Sequence, residues 1–242
     1  MELIKENIIG ELVAQNYRAA SIFKKHGIDF CCQGNRTIDD ACTAKNIDST
    51  SVINDLNAAI NQQDTETIDY KSWPLDLLAD YIEKKHHRYV EAKITEIKPY
   101  LHKICTVHGE RHPELLEIKE HFLNSTGELT KHMKKEELIL FPYVRKIVKA
   151  KQERTKLDTP HFGTVQNPIA MMMSEHDVEG ERFRKISELS NNYNTPEDAC
   201  NTYRVTFALL KEFEDDLHLH IHLENNILFP NAIKLEKEFS YA

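Results

Sequence analysis

The chain has 242 residues with a formal net charge of −8, a pI near 5.9 and no stripe of Lys or Arg, which argues against binding a phosphate backbone, so no nucleic acid is expected as a partner. Gly and Pro are scarce, at 7 and 8, Glu, Lys, Leu and Ala are plentiful, and no segment sustains an apolar/polar alternation, so the chain reads as all-α. No stretch approaches 18 apolar residues and no signal-peptide pattern opens the chain, so the expected location is cytoplasmic, with no membrane partner.

Residues 1–62 form a predicted small helical unit. Ile4, Ile8, Ile9, Leu12 and Val13 lie at helical spacing, and Gly27 stops a helix running through Ser21 to Lys25. Thr37 with Asp40 resembles a capping box that opens a helix through Cys42, and Asp48 or Ser49 caps another. Some sixty residues make a marginal core, so the unit is expected to dock on another surface, its own copy in a dimer included. The polar stretch 61–67 reads as a linker, placed overall at 63–73, ahead of a second domain over 74–242.

Four long helices are predicted from there, at about 75–108, 113–150, 167–191 and 196–237, with breaks at Gly109 to Pro113, Thr159 to Gly163 and Asn191 to Pro196. Long amphipathic helices with mostly short links predict an antiparallel four-helix bundle, whose internal sites are built from inward-facing side chains.

One segment of this region occurs twice. The run from His132 through Glu136 to Phe141-Pro142 returns 88 residues later as His220 through Glu224 to Phe229-Pro230, with six of eleven positions identical. A single His/Glu pair at i,i+4 is common on solvated helices; the same pair recurring with the same Ile-Leu-Phe-Pro tail is not. Such a pair projects an imidazole and a carboxylate from one helix face toward one metal or adjacent metals. The Pro in each tail is expected to kink or end its helix.

The other helices each supply one candidate. Leu78, Ile82, His86, Val90, Ile97, Leu101 and Ile104 follow one face, which selects His86 over His87, about 100° around the helix. His86 lies 22 residues before the first break and His132 lies 19 after Pro113, so the two reach nearly the same height in an antiparallel pair. His108 would sit about 33 Å from His86 along a straight helix and is rejected unless Pro99 breaks it. On the third helix Ile169, Met172, Met173, His176 and Phe183 share a face, with Asp177 turned away; Met171 to Met173 read as core packing. The resulting set is His86, His132, Glu136, His176, His220 and Glu224. Four imidazoles and two carboxylates exceed what a tetrahedral zinc takes and suit two metals, iron or manganese, with iron favoured if open positions serve oxygen or nitric oxide chemistry. His218 and His222 lie off the His220 face and are assigned solvated or supporting roles.

With these motifs in place, residues 75–235 resemble a hemerythrin-like di-iron domain. Together with Ile28-Asp29-Phe30-Cys31-Cys32-Gln33-Gly34, the whole chain resembles the family of iron–sulfur cluster repair di-iron proteins, the repair-of-iron-centers proteins. The resemblance implies two iron ions per chain in an oxo- and carboxylate-bridged centre, with both Glu as bridges. It also implies a homodimer, damaged iron–sulfur proteins as clients, and a role under oxidative or nitrosative stress through iron donation or nitric oxide handling.

Five Cys, an odd number with Cys31 and Cys32 adjacent, do not look like a disulfide framework. A buried Cys is often an inert small hydrophobe. Lys24, Lys25, His26 and Arg36, however, are close enough in sequence to lower a thiol pKa, so Cys31 and Cys32 are expected to be reactive thiols. Competing functions are a module that reversibly binds dioxygen or senses iron, and a ferritin-type iron oxidase. Neither gives a reason for a vicinal thiol pair beside the bundle. Whether the chain turns over a substrate is left open.

Overall fold

A computed structural model describes residues 3–60 and 68–239, and these are helical with short connections. The N-terminal unit consists of α1 (Ile9–Gln15), α2 (Arg18–Lys25), α3 (Ile38–Lys45) and α4 (Ser49–Ile60). Local chemistry sets the ends of two of these helices. Thr37 Oγ1 accepts from the Asp40 N–H at 3.0 Å to open α3, and Gly27, at φ +64°, closes α2 in the left-handed region that an L side chain avoids.

Four long helices follow. Helix α5 covers 75–108, α6 covers 114–153, α7 is Gln166–Leu189, and α8 covers 201–237. Helix α5 packs on α6 and α8, and α6 packs on α7. Pro99 does not break α5, because Arg88–His108 is continuous through it. Residues 61–67, the heart of the expected linker, lie outside the described residues. Tyr70 and Trp73, which the sequence places in that linker, pack instead on Tyr81 of α5, with ring centroids 5.5 and 5.3 Å away.

Three of the long helices contain a wider, π-helical turn: Ile82–His87 in α5, Glu136–Leu140 in α6 and Glu224–Leu228 in α8. In the last two, the N–H of Phe141 and of Phe229 donates to the carbonyl five residues back, at Glu136 and Glu224. Pro142 and Pro230 sit just after these turns, at the second position of the resumed α-helix, so they neither end nor break α6 and α8.

Two apolar layers hold the molecule together. The first runs through the bundle from Val90, Leu129, Phe183 and Ile221 to Phe122 and Phe213 and continues into Ile9, Phe23, Ile38 and Leu56 of the N-terminal unit. The small unit therefore completes its core on its own bundle. The second layer contains Ile82, Leu140, Met172 and Leu228. Of the three methionines expected in the core, only Met172 is buried; Met171 and Met173 face outward at 53% and 39% exposure. Between the layers, on every long helix, lies a belt of buried His and Glu.

Candidate metal centre

The belt gathers two groups of donors. His87, Glu136, His220 and Glu224 form one, and His132, Glu136, His176 and Glu224 form the other, with the donor atoms of each group within 4.8 Å of one another. Both carboxylates belong to both groups. All six side chains are at most 3% exposed. Glu136 Oε2 lies 3.3 Å from His87 Nε2 and 3.4 Å from His132 Nε2, while Glu224 lies 3.2 Å from both His176 Nε2 and His220 Nε2.

Five of the six residues anticipated from the sequence are thus brought together, and His86 is not. The cause is the π turn in α5. Ile82 is inward, and in an α-helix the next inward position would be His86, four residues on; the wider turn moves it to the fifth, His87. From His87 the stripe resumes at Val90. His86 is buried too, but its Nδ1 faces Asp216 at 3.1 Å and its ring stacks beside His220 with centroids 5.7 Å apart. Counting back three residues from Val90 gives His87 and counting back four gives His86, so the sequence pattern could not separate them.

Acceptors on the far ring nitrogens orient the imidazoles. His132 Nδ1 donates to Glu175 Oε2 at 2.8 Å, His176 Nδ1 to Asn225 Oδ1 at 2.9 Å, and His87 Nδ1 to Glu137 Oε1 at 3.1 Å. This network orients these three rings with Nε2 toward the centre, while the fourth, His220, has its Nδ1 buried without a hydrogen-bond partner. The network also explains the repeated segment beyond its His and Glu. In each copy the residue after Glu accepts from a His on another helix, and the Phe five residues after Glu stacks on that same ring: Phe141 on His87 at 5.5 Å and 21°, Phe229 on His176 at 6.0 Å and 3°. Glu137, about one step around the helix, is therefore part of the site's support.

With their Nδ1 protons committed, His132 and His176 bring their Nε2 atoms within 3.0 Å of each other, so either a proton on His132 or a bound cation must lie between them. The carboxylate oxygens of Glu136 and Glu224 and the Nε2 atoms of His87 and His220 are buried without a hydrogen-bond partner. Buried polar atoms are costly in that state, so these donors fit a metal. The electrostatics agree. Burial opposes ionisation of Glu136 and Glu224, and Glu224 opposes that of Glu136, yet the surrounding imidazoles hold both pKa values below the ordinary carboxylate range. Burial likewise opposes the His132 imidazolium, but Glu136 and Glu175 outweigh it and raise that pKa to about 10. A cavity of about 400 Å³, bounded by Asn124, Glu128, His132, Glu175, Glu179 and Arg182, reaches this side of the centre.

Residues 78–232, which hold all six donors, match the Hemerythrin HHE cation binding domain. The chain belongs to this family. Residues 5–60 match the ScdA_N domain, described as a domain of unknown function (DUF542). The chain is similar along its length to iron-sulfur cluster repair proteins. It is 31% identical to ScdA of Staphylococcus epidermidis, over 94% of this chain and 98% of that one, and 33% identical to YtfE of Yersinia pestis, over 94% and 97%.

The thiol pair lies where the ScdA_N unit meets the bundle. Asp29 Oδ1 accepts from the N–H groups of Cys31, Cys32 and Gln33, at 3.0, 2.9 and 3.4 Å, and so pins the loop. The two sulfurs are 3.8 Å apart, and Asp29, Cys31 and Cys32 form a further group of potential metal donors. The cations expected to lower a thiol pKa are engaged elsewhere: Lys24 with Asp215, Lys25 and His26 with Asp55, and Arg36 with the Gln33 carbonyl. The hydrogen bond with Cys32, burial and Asp29 instead push the Cys31 thiol well above its ordinary range. Of the extra histidines, His222 is buried against Asn226, 2.9 Å from its Nδ2, and burial lowers its pKa to about 3; it is not solvated. His108, at the far end of α5, faces Cys200 at 3.1 Å.

Proposed function

We propose that the chain holds two iron ions, bridged by Glu136 and Glu224 and capped by His87 and His220 on one side and His132 and His176 on the other, and that it acts in the repair of iron–sulfur clusters damaged by oxidative or nitrosative stress. The observation that carries the metal reading is the pair of four-donor groups sharing both carboxylates, with buried donor atoms that lack any other partner. A mixed imidazole and carboxylate set suits iron better than a thiolate-seeking metal. The repair reading rests on the full-length likeness to proteins named for that activity.

Iron in such a site would supply labile metal or a point of attachment for nitric oxide or dioxygen. The chain's own residues supply the rest. Glu137, Asn225 and Glu175 orient the His87, His176 and His132 imidazoles, Phe141 and Phe229 limit rotation of the His87 and His176 rings, and apolar layers flank the belt on either side. Cys31, which lines a cavity of about 320 Å³ together with Asp29, Arg184 and His218, and its neighbour Cys32 are the proposed thiols through which iron or a nitrosyl group passes to or from a client. Damaged iron–sulfur proteins as clients, a homodimer and a cytoplasmic location complete this reading. Among the described residues no helix is long and apolar enough to cross a membrane.

Two measurements test the proposal. Iron quantitation with Mössbauer spectroscopy on anaerobically purified protein should return two irons per chain; one zinc and no iron would overturn it. In a reconstituted assay, Cys31→Ser with Cys32→Ser should leave the iron content intact while recovery of a damaged cluster protein falls sharply, since a hydroxyl is a poor replacement for a thiolate or soft ligand. Full recovery would confine function to the bundle.

A further inference from the structure

Position 225 differs in kind between the two copies of the repeated segment. In the first copy the residue after the Glu is Glu137, an acceptor only; in the second it is Asn225, whose amide both accepts and donates. Both capacities are used. Asn225 Oδ1 accepts from His176 Nδ1 at 2.9 Å, and Asn225 Nδ2 donates to the Cys31 carbonyl oxygen at 3.2 Å. The side chain is buried, at 7% exposure. One amide therefore spans from the thiol loop of the N-terminal unit to an imidazole of the metal belt.

The surroundings fix that span. Asn226 Nδ2 donates to the Phe30 carbonyl at 3.1 Å, and the Asn226 carboxamide lies so close to Gly10 and Gly34 that a Cβ at either would come within 2.3 or 3.0 Å of its Oδ1. The backbone of His176 is tied to the same loop, because Cys32 Sγ donates to the His176 carbonyl at 3.4 Å. Gly180, one turn along α7, makes room for that sulfur: a Cβ there would meet it at 2.8 Å. A carboxylate at 225 would still accept from His176 but would face the Cys31 carbonyl with no proton to offer.

We propose that Asn225 is a positioning residue that couples the Cys31–Cys32 loop to the metal ligand His176, so that the state of the loop sets how firmly the centre holds its metal. This rests on the metal reading above. A displacement of the Cys31 carbonyl draws on the same amide that orients His176. By linkage, a loop state that weakens metal binding is itself disfavoured, by the same factor, when the metal is bound. The centre and the thiols then work as one unit.

A double-mutant cycle on the full chain tests this, with ferrous iron added anaerobically and its dissociation constant read by chelator competition. Asn225→Leu should weaken iron by about 10–100-fold, the usual effect of losing a group that orients a ligand. Asn225→Asp, which keeps the acceptor, should recover most of that affinity. Asp29→Ala, which frees the loop without touching His176, should weaken iron by about fivefold or more in the wild-type background. In the Asn225→Asp background its effect should be clearly smaller, limited to what passes through the Cys32–His176 contact, and that arm stands even if Asn225→Leu fails to fold. Equal weakening by Asp29→Ala with and without Asn225, or wild-type affinity in Asn225→Leu, would overturn the coupling while leaving the metal centre in place. Wild-type protein that takes up no iron would overturn the metal reading and the coupling with it.

Discussion

His87 Nε2 lies 3.3 Å from Glu136 Oε2 with both side chains fully buried, whereas the adjacent His86 turns its Nδ1 toward Asp216. The two neighbours therefore differ sharply in consequence. His87→Ala should remove a ligand and lower iron stoichiometry or retention, while His86→Ala should keep two irons and lose mainly packing and the Asp216 contact. Iron analysis after gel filtration distinguishes them, and the reverse ranking would show that the π turn in α5 does not set the register.

Glu137 and Glu175 each accept from the outward nitrogen of a belt imidazole. Replacing either by Ala should weaken iron binding by about 10–100-fold without changing the number of irons at saturation. Chelator competition reads this directly. By its position on the helix face alone, about 100° around from Glu136, Glu137 would matter little, so that residue is the sharper test.

Gly180→Ala should destabilise the protein by about 1–3 kcal/mol, as overpacking does, because its Cβ would meet Cys32 Sγ. Gly127→Ala, where an added Cβ meets nothing within 4 Å, serves as the control and should be neutral or slightly stabilising in the helix. Urea denaturation of both variants checks the contrast.

Binding that favours the native state adds stability by linkage, about 2.7 kcal/mol when free iron is about a hundredfold above its dissociation constant. The iron-free protein should keep its helical circular dichroism, since two apolar layers flank the belt, yet melt at a lower temperature. Identical melts with and without iron would count against an internal site.

Cys200 is exposed at the start of α8, and its hydrogen bond with His108, aided by the N–H groups of Tyr203 and Thr202, lowers its pKa to about 7. A lowered thiol pKa enlarges the thiolate fraction at neutral pH. Alkylation at Cys200, followed by mass spectrometry, should rise with pH through a midpoint near that value, and His108→Ala should move the midpoint up toward the ordinary thiol range of about 8.5. An unchanged midpoint would show that the imidazole does not support the thiolate.

The sequence alone determined the helical class, the four long helices and five of the six belt residues. Each of these is written in local terms: apolar stripes at helical spacing, and a His and Glu four apart in two copies with a common tail. It did not determine which of His86 and His87 faces inward, because a π turn adds one residue to the count and only packing of α5 on α6 and α8 selects it. Nor could it reveal Glu137, Glu175, Asn225 and Asp216 as partners of the histidines, since each contact joins residues 40 or more positions apart. The thiols follow the same rule: neighbouring cations in the sequence suggested a lowered pKa, but folding gave those cations to other partners and set Asp29 and burial around Cys31 instead. What is periodic along one helix can be read from the chain, and what depends on which helix lies opposite is decided by the tertiary structure.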